Sequence, residues 1–129
     1  MPSPSLESRD VRLSVPARPD YLVLARLALS AMCRLTPLEH AEVADLKLAV
    51  TEAAAGFVAD GGGDPDAVVG FEFRLNDGQI EMEISGTPLD TPAEEQELSR
   101  AIVAATVDEF EIADGRTKLV KRFTADDSS

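Results

Sequence analysis

Tryptophan is absent from the 129-residue chain, and cysteine, histidine and tyrosine occur once each. A lone cysteine, Cys33, cannot close an internal disulfide, which suits a reducing compartment. With His40 as the single histidine, a histidine cluster for zinc is excluded, and any catalytic triad would have to be built on that residue. There is no Cys-x-x-Cys pair and no Walker-type glycine-lysine loop. Basic residues are scarce as well: 12 Lys and Arg stand against 24 Asp and Glu, a net charge of −12. Such a surface repels phosphate backbones and anionic lipid, so direct nucleic-acid binding is disfavoured and a basic protein partner is drawn in. Long apolar runs are missing too. The most apolar stretch, Tyr21 to Cys33, is interrupted by Arg26 and falls short of the ~20 residues a membrane span needs. Met1-Pro2-Ser3-Pro4-Ser5 lacks the basic head and apolar run of an export signal, so the expected location is the cytoplasm, away from membranes.

What remains, 44% hydrophobic and 28% charged, suits one globular domain. Residues 1–9 and 125–129 read as disordered polar tails around a domain at 10–124. Val11, Leu13 and Val15 alternate with polar neighbours, a strand pattern stopped by Pro16. After Asp20, the positions Leu24, Leu27, Ala28, Ala31 and Met32 recur at helical spacing, up to about Leu35. Thr36-Pro37-Leu38-Glu39 has the form of a capping box opening a second helix. That helix runs to about Ala59, with Leu46, Ala49, Val50, Ala53 and Phe57 in one stripe, and stops in Asp60-Gly61-Gly62-Gly63-Asp64-Pro65. Ala67–Leu75 and Gln79–Ser85 form a hairpin about Asn76-Asp77-Gly78. A third helix covers Ala93–Ala105 with Leu98, Ile102 and Ala105 inward, and two strands flank the Asp114-Gly115 turn. The order β-α-α-β-β-α-β-β predicts an α+β fold, a two-layer sandwich.

Candidate chemistry is sparse. His40, early in the second helix, reads as an exposed and inert residue, and Cys33 as a small apolar filler. Asp60, Asp64 and Asp66 do not have the spacing of an EF-hand loop and read as a solvated acidic loop. Glu52 is more informative, since it lies among alanines beside the apolar stripe. It is either a partly desolvated carboxylate suited to general-base work or a side chain in solvent.

Asp45-Leu46-Lys47-Leu48-Ala49-Val50-Thr51-Glu52-Ala53 resembles the second-helix segment of the RsbW/SpoIIAB-type anti-sigma factors, serine kinases of the GHKL (histidine-kinase-like) ATPase class. Val11 to Ala17 resembles the opening strand of that family. Val107 to Ile112 and Gly115 to Phe123 resemble its last hairpin. The likeness covers about residues 10–124 and implies a Bergerat-type fold. It also implies an ATP–Mg2+ site in which Glu52 is the base, here vestigial. The family's magnesium-holding asparagine falls at Gly56, which has no side-chain oxygen. The adenine-reading aspartate falls at Ser85 or a neighbour, followed by Gly86. Glu94-Glu95-Gln96-Glu97 stands where a glycine-rich phosphate turn is expected. These departures imply that the family's ATP and Mg2+ are weakly held or lost, leaving no cofactor and no metal site.

The resemblance further implies an anti-sigma factor that sequesters an alternative, stress or developmental, sigma factor and is countered by a STAS anti-anti-sigma factor. A homodimer is expected. Arg26, Arg34, Glu39 and Glu42, on the first two helices, are the candidate partner contacts. Two alternatives stand beside it: an active serine/threonine-protein kinase using Glu52, and a pseudo-kinase adaptor that binds STAS proteins only.

Overall fold

The computed structural model describes residues 9–58, 64–76 and 78–123. The expected tails at 1–8 and 125–129, and Asp60 of the acidic loop, lie outside these residues. Arg9, expected in the tail, is instead the first residue of β1.

Five antiparallel strands form a sheet in the order β1-β2-β3-β5-β4. They are β1 (Arg9–Pro16), β2 (Val68–Asn76), β3 (Gln79–Ser85), β4 (Glu109–Ala113) and β5 (Arg116–Arg122). Period-2 alternation sends Val69, Phe71, Phe73 and Leu75 of β2, and Ile80, Met82 and Ile84 of β3, to one buried face. The opposite face is wet and charged. Glu72 bridges Arg12 and Arg74 at 3.1 Å each, Glu83 meets Arg116 at 3.3 Å, and Glu81 meets Lys118 at 3.7 Å. One apolar and one solvated face is what an antiparallel sheet with a single helical layer requires. The sheet hairpins close at Gly78 and Gly115, whose φ values of 94° and 81° suit residues without a Cβ.

Three helices cover the apolar face: α1 (Leu22–Cys33), α2 (His40–Ala55) and α3 (Ala93–Thr106). A short 3-10 turn, Pro19–Tyr21, precedes α1. The element order matches the sequence expectation, and the α+β sandwich stands. The differences lie in phase and ends. α1 buries Leu22, Ala25, Leu29, Met32 and Cys33, while Leu24 and Leu27 of the expected inward stripe are 43% and 61% exposed. Apolar residues surround this helix almost completely, so periodicity did not determine which side meets the sheet. α3 buries Val103, and Leu98, expected inward, is 62% exposed.

The start of α2 also moves. Thr36 does not cap it: its hydroxyl donates to the Cys33 carbonyl at 2.7 Å and accepts from the Leu38 amide at 3.2 Å, closing the end of α1. The capping box is Glu39 with Glu42, where the Glu39 amide donates to Glu42 Oε1 at 3.0 Å and the Glu39 carboxylate takes the Glu42 amide. A carboxylate at both ends of the box also complements the helix dipole. At its other end α2 stops at Ala55, not near Ala59, with Gly56 as its cap. Phe57 and Val58 then run non-helically into the core.

Candidate functional site

A cavity of about 680 Å³ opens where the end of α2, α3, the loop 88–92 and the β4–β5 turn meet. Gly56, just past α2, anchors one wall: its carbonyl accepts the Leu89 amide at 2.9 Å, tying the loop to the helix end. The Gly86 amide, directly after β3, donates to the Gly115 carbonyl at 3.1 Å, tying the end of that strand to the β4–β5 turn. Gly86 is needed there for space, because a Cβ at this position would stand 3.1 Å from the Phe57 Cβ. The floor is apolar, from Ala53, Phe57, Val103 and Ile112.

Glu52 lines this cavity from α2, half-buried, and Ser99 Oγ on α3 donates to its Oε1 at 2.8 Å. It is therefore not a side chain loose in solvent. At the base lies Thr117 of β5, 5% exposed, on the inward face of the sheet. Asp90, Glu95 and Asp114 stand around the mouth with Arg100.

Of the positions inferred from the sequence, Glu52 and Gly56 come together in this pocket. Ser85 and Gly86 are not among its lining residues. Ser85 ends β3, exposed, with its hydroxyl beside Gly70. Glu94–Glu97 form the first turns of α3 and not a loop, and Glu95 and Gln96 reach the pocket wall. Ser99, Thr117, Asp90 and Arg100 of the pocket escaped the sequence reading. Ser99 is met by Glu52 only through the packing of α3 on α2. Thr117 had a signal, since it shares strand parity with Leu119 and so had to face the helices.

The helix-surface candidates are dispersed by the packing. Arg26 is half-buried, and its Nη1 donates to Thr51 Oγ1 at 3.3 Å. Glu42 is used in the α2 cap and lies 3.8 Å from Lys121 Nζ. Arg34 and Glu39 are exposed where α1 gives way to α2. His40 is exposed as the first residue of α2. Cys33 is buried, and its loss of water pushes the thiol up to about 11 despite the nearby Lys47 charge.

The model for the histidine kinase-like ATPase domain matches residues 15–122. The serine-protein kinase RsbW of Listeria innocua serovar 6a is 31% identical over 91 residues, covering 68% of this chain and 58% of that protein. The chain belongs to the RsbW-type histidine kinase-like ATPase family. RsbW of Bacillus subtilis strain 168 is 28% identical over 103 residues, 78% of this chain and 64% of that one. The chain thus spans less than two-thirds of the length of these kinases. In structure it resembles the RsbU and RsbW domains of Rv1364c from Mycobacterium tuberculosis, with a TM-score of 0.67 and 18% identity. That match covers 88% of this chain and 32% of the other, and it supports the GHKL fold.

Against the ATP–Mg2+ expected of this RsbW-type domain, the donor set does not fit. Gly56, where the resemblance puts the magnesium-holding asparagine, offers no side-chain oxygen, although a side chain there would meet nothing nearer than the Ala53 carbonyl at 3.8 Å. The N-terminus of α3, a natural anion site, carries its own carboxylates, Glu94 and Glu95.

Proposed function

We propose that the protein is an anti-sigma factor that works by docking and not by phosphorylation. It sequesters an alternative sigma factor, is countered by a STAS-domain anti-anti-sigma factor, and holds ATP weakly or not at all. One observation carries the docking part: α1 turns Val23, Leu24 and Leu27 outward, at 44%, 43% and 61% exposure, while its other side fills the core. Continuous exposed apolar surface on a helix marks a protein-binding face. Arg34 and Glu39 lie at the same end of the helical layer as polar rim, and Leu35, also exposed, extends the face. The net charge of −12 supports attraction to the basic surfaces a sigma factor uses on DNA, and speeds encounter. The same outward face suits a homodimer of this chain. No helix among the described residues is long and apolar enough to cross a membrane, and the cytoplasm is where such partners are found.

A kinase reading draws on Glu52, which lines the cavity between α2 and α3. Its position is kept, while the groups that would hold triphosphate and metal around it are replaced. Co-purification of the protein with candidate sigma and STAS partners, with and without ATP–Mg2+, tests the proposal. Sigma factor captured equally in both conditions is the expected result. Recovery of a STAS protein alone supports the adaptor reading, and capture that requires nucleotide supports the kinase.

A further inference from the structure

β4 closes the sheet beyond β5, and nothing among the described residues pairs with its outer edge. Counting back from the two-residue Asp114-Gly115 turn, Ala113, Glu111 and Glu109 exchange the ladder bonds with β5. The N–H and C=O groups of Phe110 and Ile112 therefore point away from β5, along the open edge. Their side chains lie on the apolar face, opposite Leu119 and Thr117, and Ile112 stays 44% exposed with no strand beyond it. The other face of β4 is acidic. Arg122 pairs with Glu109, while the β5 cations Arg116 and Lys118 meet Glu83 and Glu81 of β3. Glu111, exposed at the middle of β4, takes part in no ion pair among the described residues. Asp108 and Asp114, just beyond the two ends of the strand, are exposed and add charge of the same sign.

We infer that the β4 edge takes up an extended segment of another protein, in which Lys or Arg alternates with Val, Ile or Leu. Main-chain bonds to Phe110 and Ile112 continue the sheet, the apolar side chains extend its inner face beside Ile112, and a basic one meets Glu111 across the new strand pair. A second copy of β4 is disfavoured, because antiparallel pairing brings its Glu109 and Glu111 against acidic residues of the same kind. Residues 1–8 and 124–129 of this chain carry Glu7, Asp126 and Asp127 and no Lys or Arg, so their charge does not match either. β1, the other edge, has Arg9 and Arg12 against Asp10 alone and does not favour a basic strand. The inference uses no residue of α1 and no nucleotide, so it stands or falls apart from sigma-factor capture.

Amide hydrogen exchange of the full chain is followed by NMR with the peptide Lys-Val-Lys-Ile-Arg-Val-Lys, with its counterpart Glu-Val-Glu-Ile-Glu-Val-Glu, and with neither. Alone, the Phe110 and Ile112 amides exchange fast while that of Glu111 is protected. The basic peptide, at about nine-tenths occupancy, slows Phe110 and Ile112 about tenfold. Glu111→Lys weakens the basic peptide by about fivefold, the size of one cross-strand charge pair, and admits the acidic one. Ile112→Pro removes an edge donor that β5 does not use, and abolishes protection of Phe110 by the basic peptide. Equal protection by both peptides, protection in Arg9–Pro16 instead, or none at millimolar peptide overturns the inference. Protection of Phe110 and Ile112 that grows with protein concentration in the absence of peptide makes a second copy the occupant, and overturns it as well.

Discussion

Ser99 Oγ on α3 donates to Glu52 Oε1 on α2 at 2.8 Å, joining two helices across the rear of the cavity. The residue that family resemblance makes a base is thus used as a fixed acceptor inside the protein. A hydrogen bond to a charged, half-buried acceptor contributes about 1–2 kcal/mol. Ser99→Ala should lower unfolding free energy by about that amount in urea titration. It should leave sigma-factor capture unchanged, because α1 is untouched.

The two sides of α1 should respond oppositely to change. Leu29 is fully buried, so Leu29→Ala should cost about 2–5 kcal/mol in the same titration. Leu27, 61% exposed, contributes little to the fold, so Leu27→Asp should stay within about 0.5 kcal/mol of the parent. Leu27→Asp should nevertheless abolish capture of the protein partner, as read by gel filtration of the mixture. Retained capture would move the docking face off this helix.

Two glycines at the pocket differ in what they require. A Cβ on Gly86 would stand 3.1 Å from the Phe57 Cβ and push that ring by a few tenths of an ångström, so Gly86→Ala should cost about 1–3 kcal/mol in a thermal melt. Gly56 has φ −72° and open space beside it, so Gly56→Asn should melt at or slightly above the parent temperature. The fold therefore does not exclude an asparagine at position 56.

Cys33 should be inert in the folded protein. Burial raises its thiol from the ordinary 9.0 to about 11, so the reactive thiolate is scarce at neutral pH. Labelling by iodoacetamide should be slow there and fast in guanidinium. Because the folded thiol ionises later than the unfolded one, stability is unaffected below pH 9.0 and falls as pH rises towards 11. Rapid labelling of the native protein at neutral pH would show that α1 opens locally.

How much could be read from the chain depends on how local each determinant is. The alternation of Val69, Phe71, Phe73 and Leu75 carries β2 by itself, and the Leu46, Ala49, Val50 stripe carries α2. α1 fails this test because Leu24 and Leu27 are as apolar as Leu22 and Leu29, and only docking on the sheet chooses between them. Thr36 looked like a helix start because its hydroxyl does take an amide, that of Leu38, while Glu39 and Glu42 provide a complete box three residues later. At the site, Glu52 and Gly56 were legible because they lie four residues apart, at the end of α2 and on its cap. Ser99, Asp90 and Thr117 come from α3, a loop and β5, and only the closed fold brings them to the same cavity.

If the scaffold is retained for docking while its nucleotide cradle is gone, a thermal melt in ATP–Mg2+ will show it. A site with micromolar affinity, saturated about a hundredfold over its dissociation constant, adds about 2.7 kcal/mol and raises the melting temperature by several degrees. The account predicts no change in melting temperature with millimolar ATP–Mg2+. A rise of several degrees that requires both ATP and magnesium, and that disappears in Glu52→Ala, would contradict it.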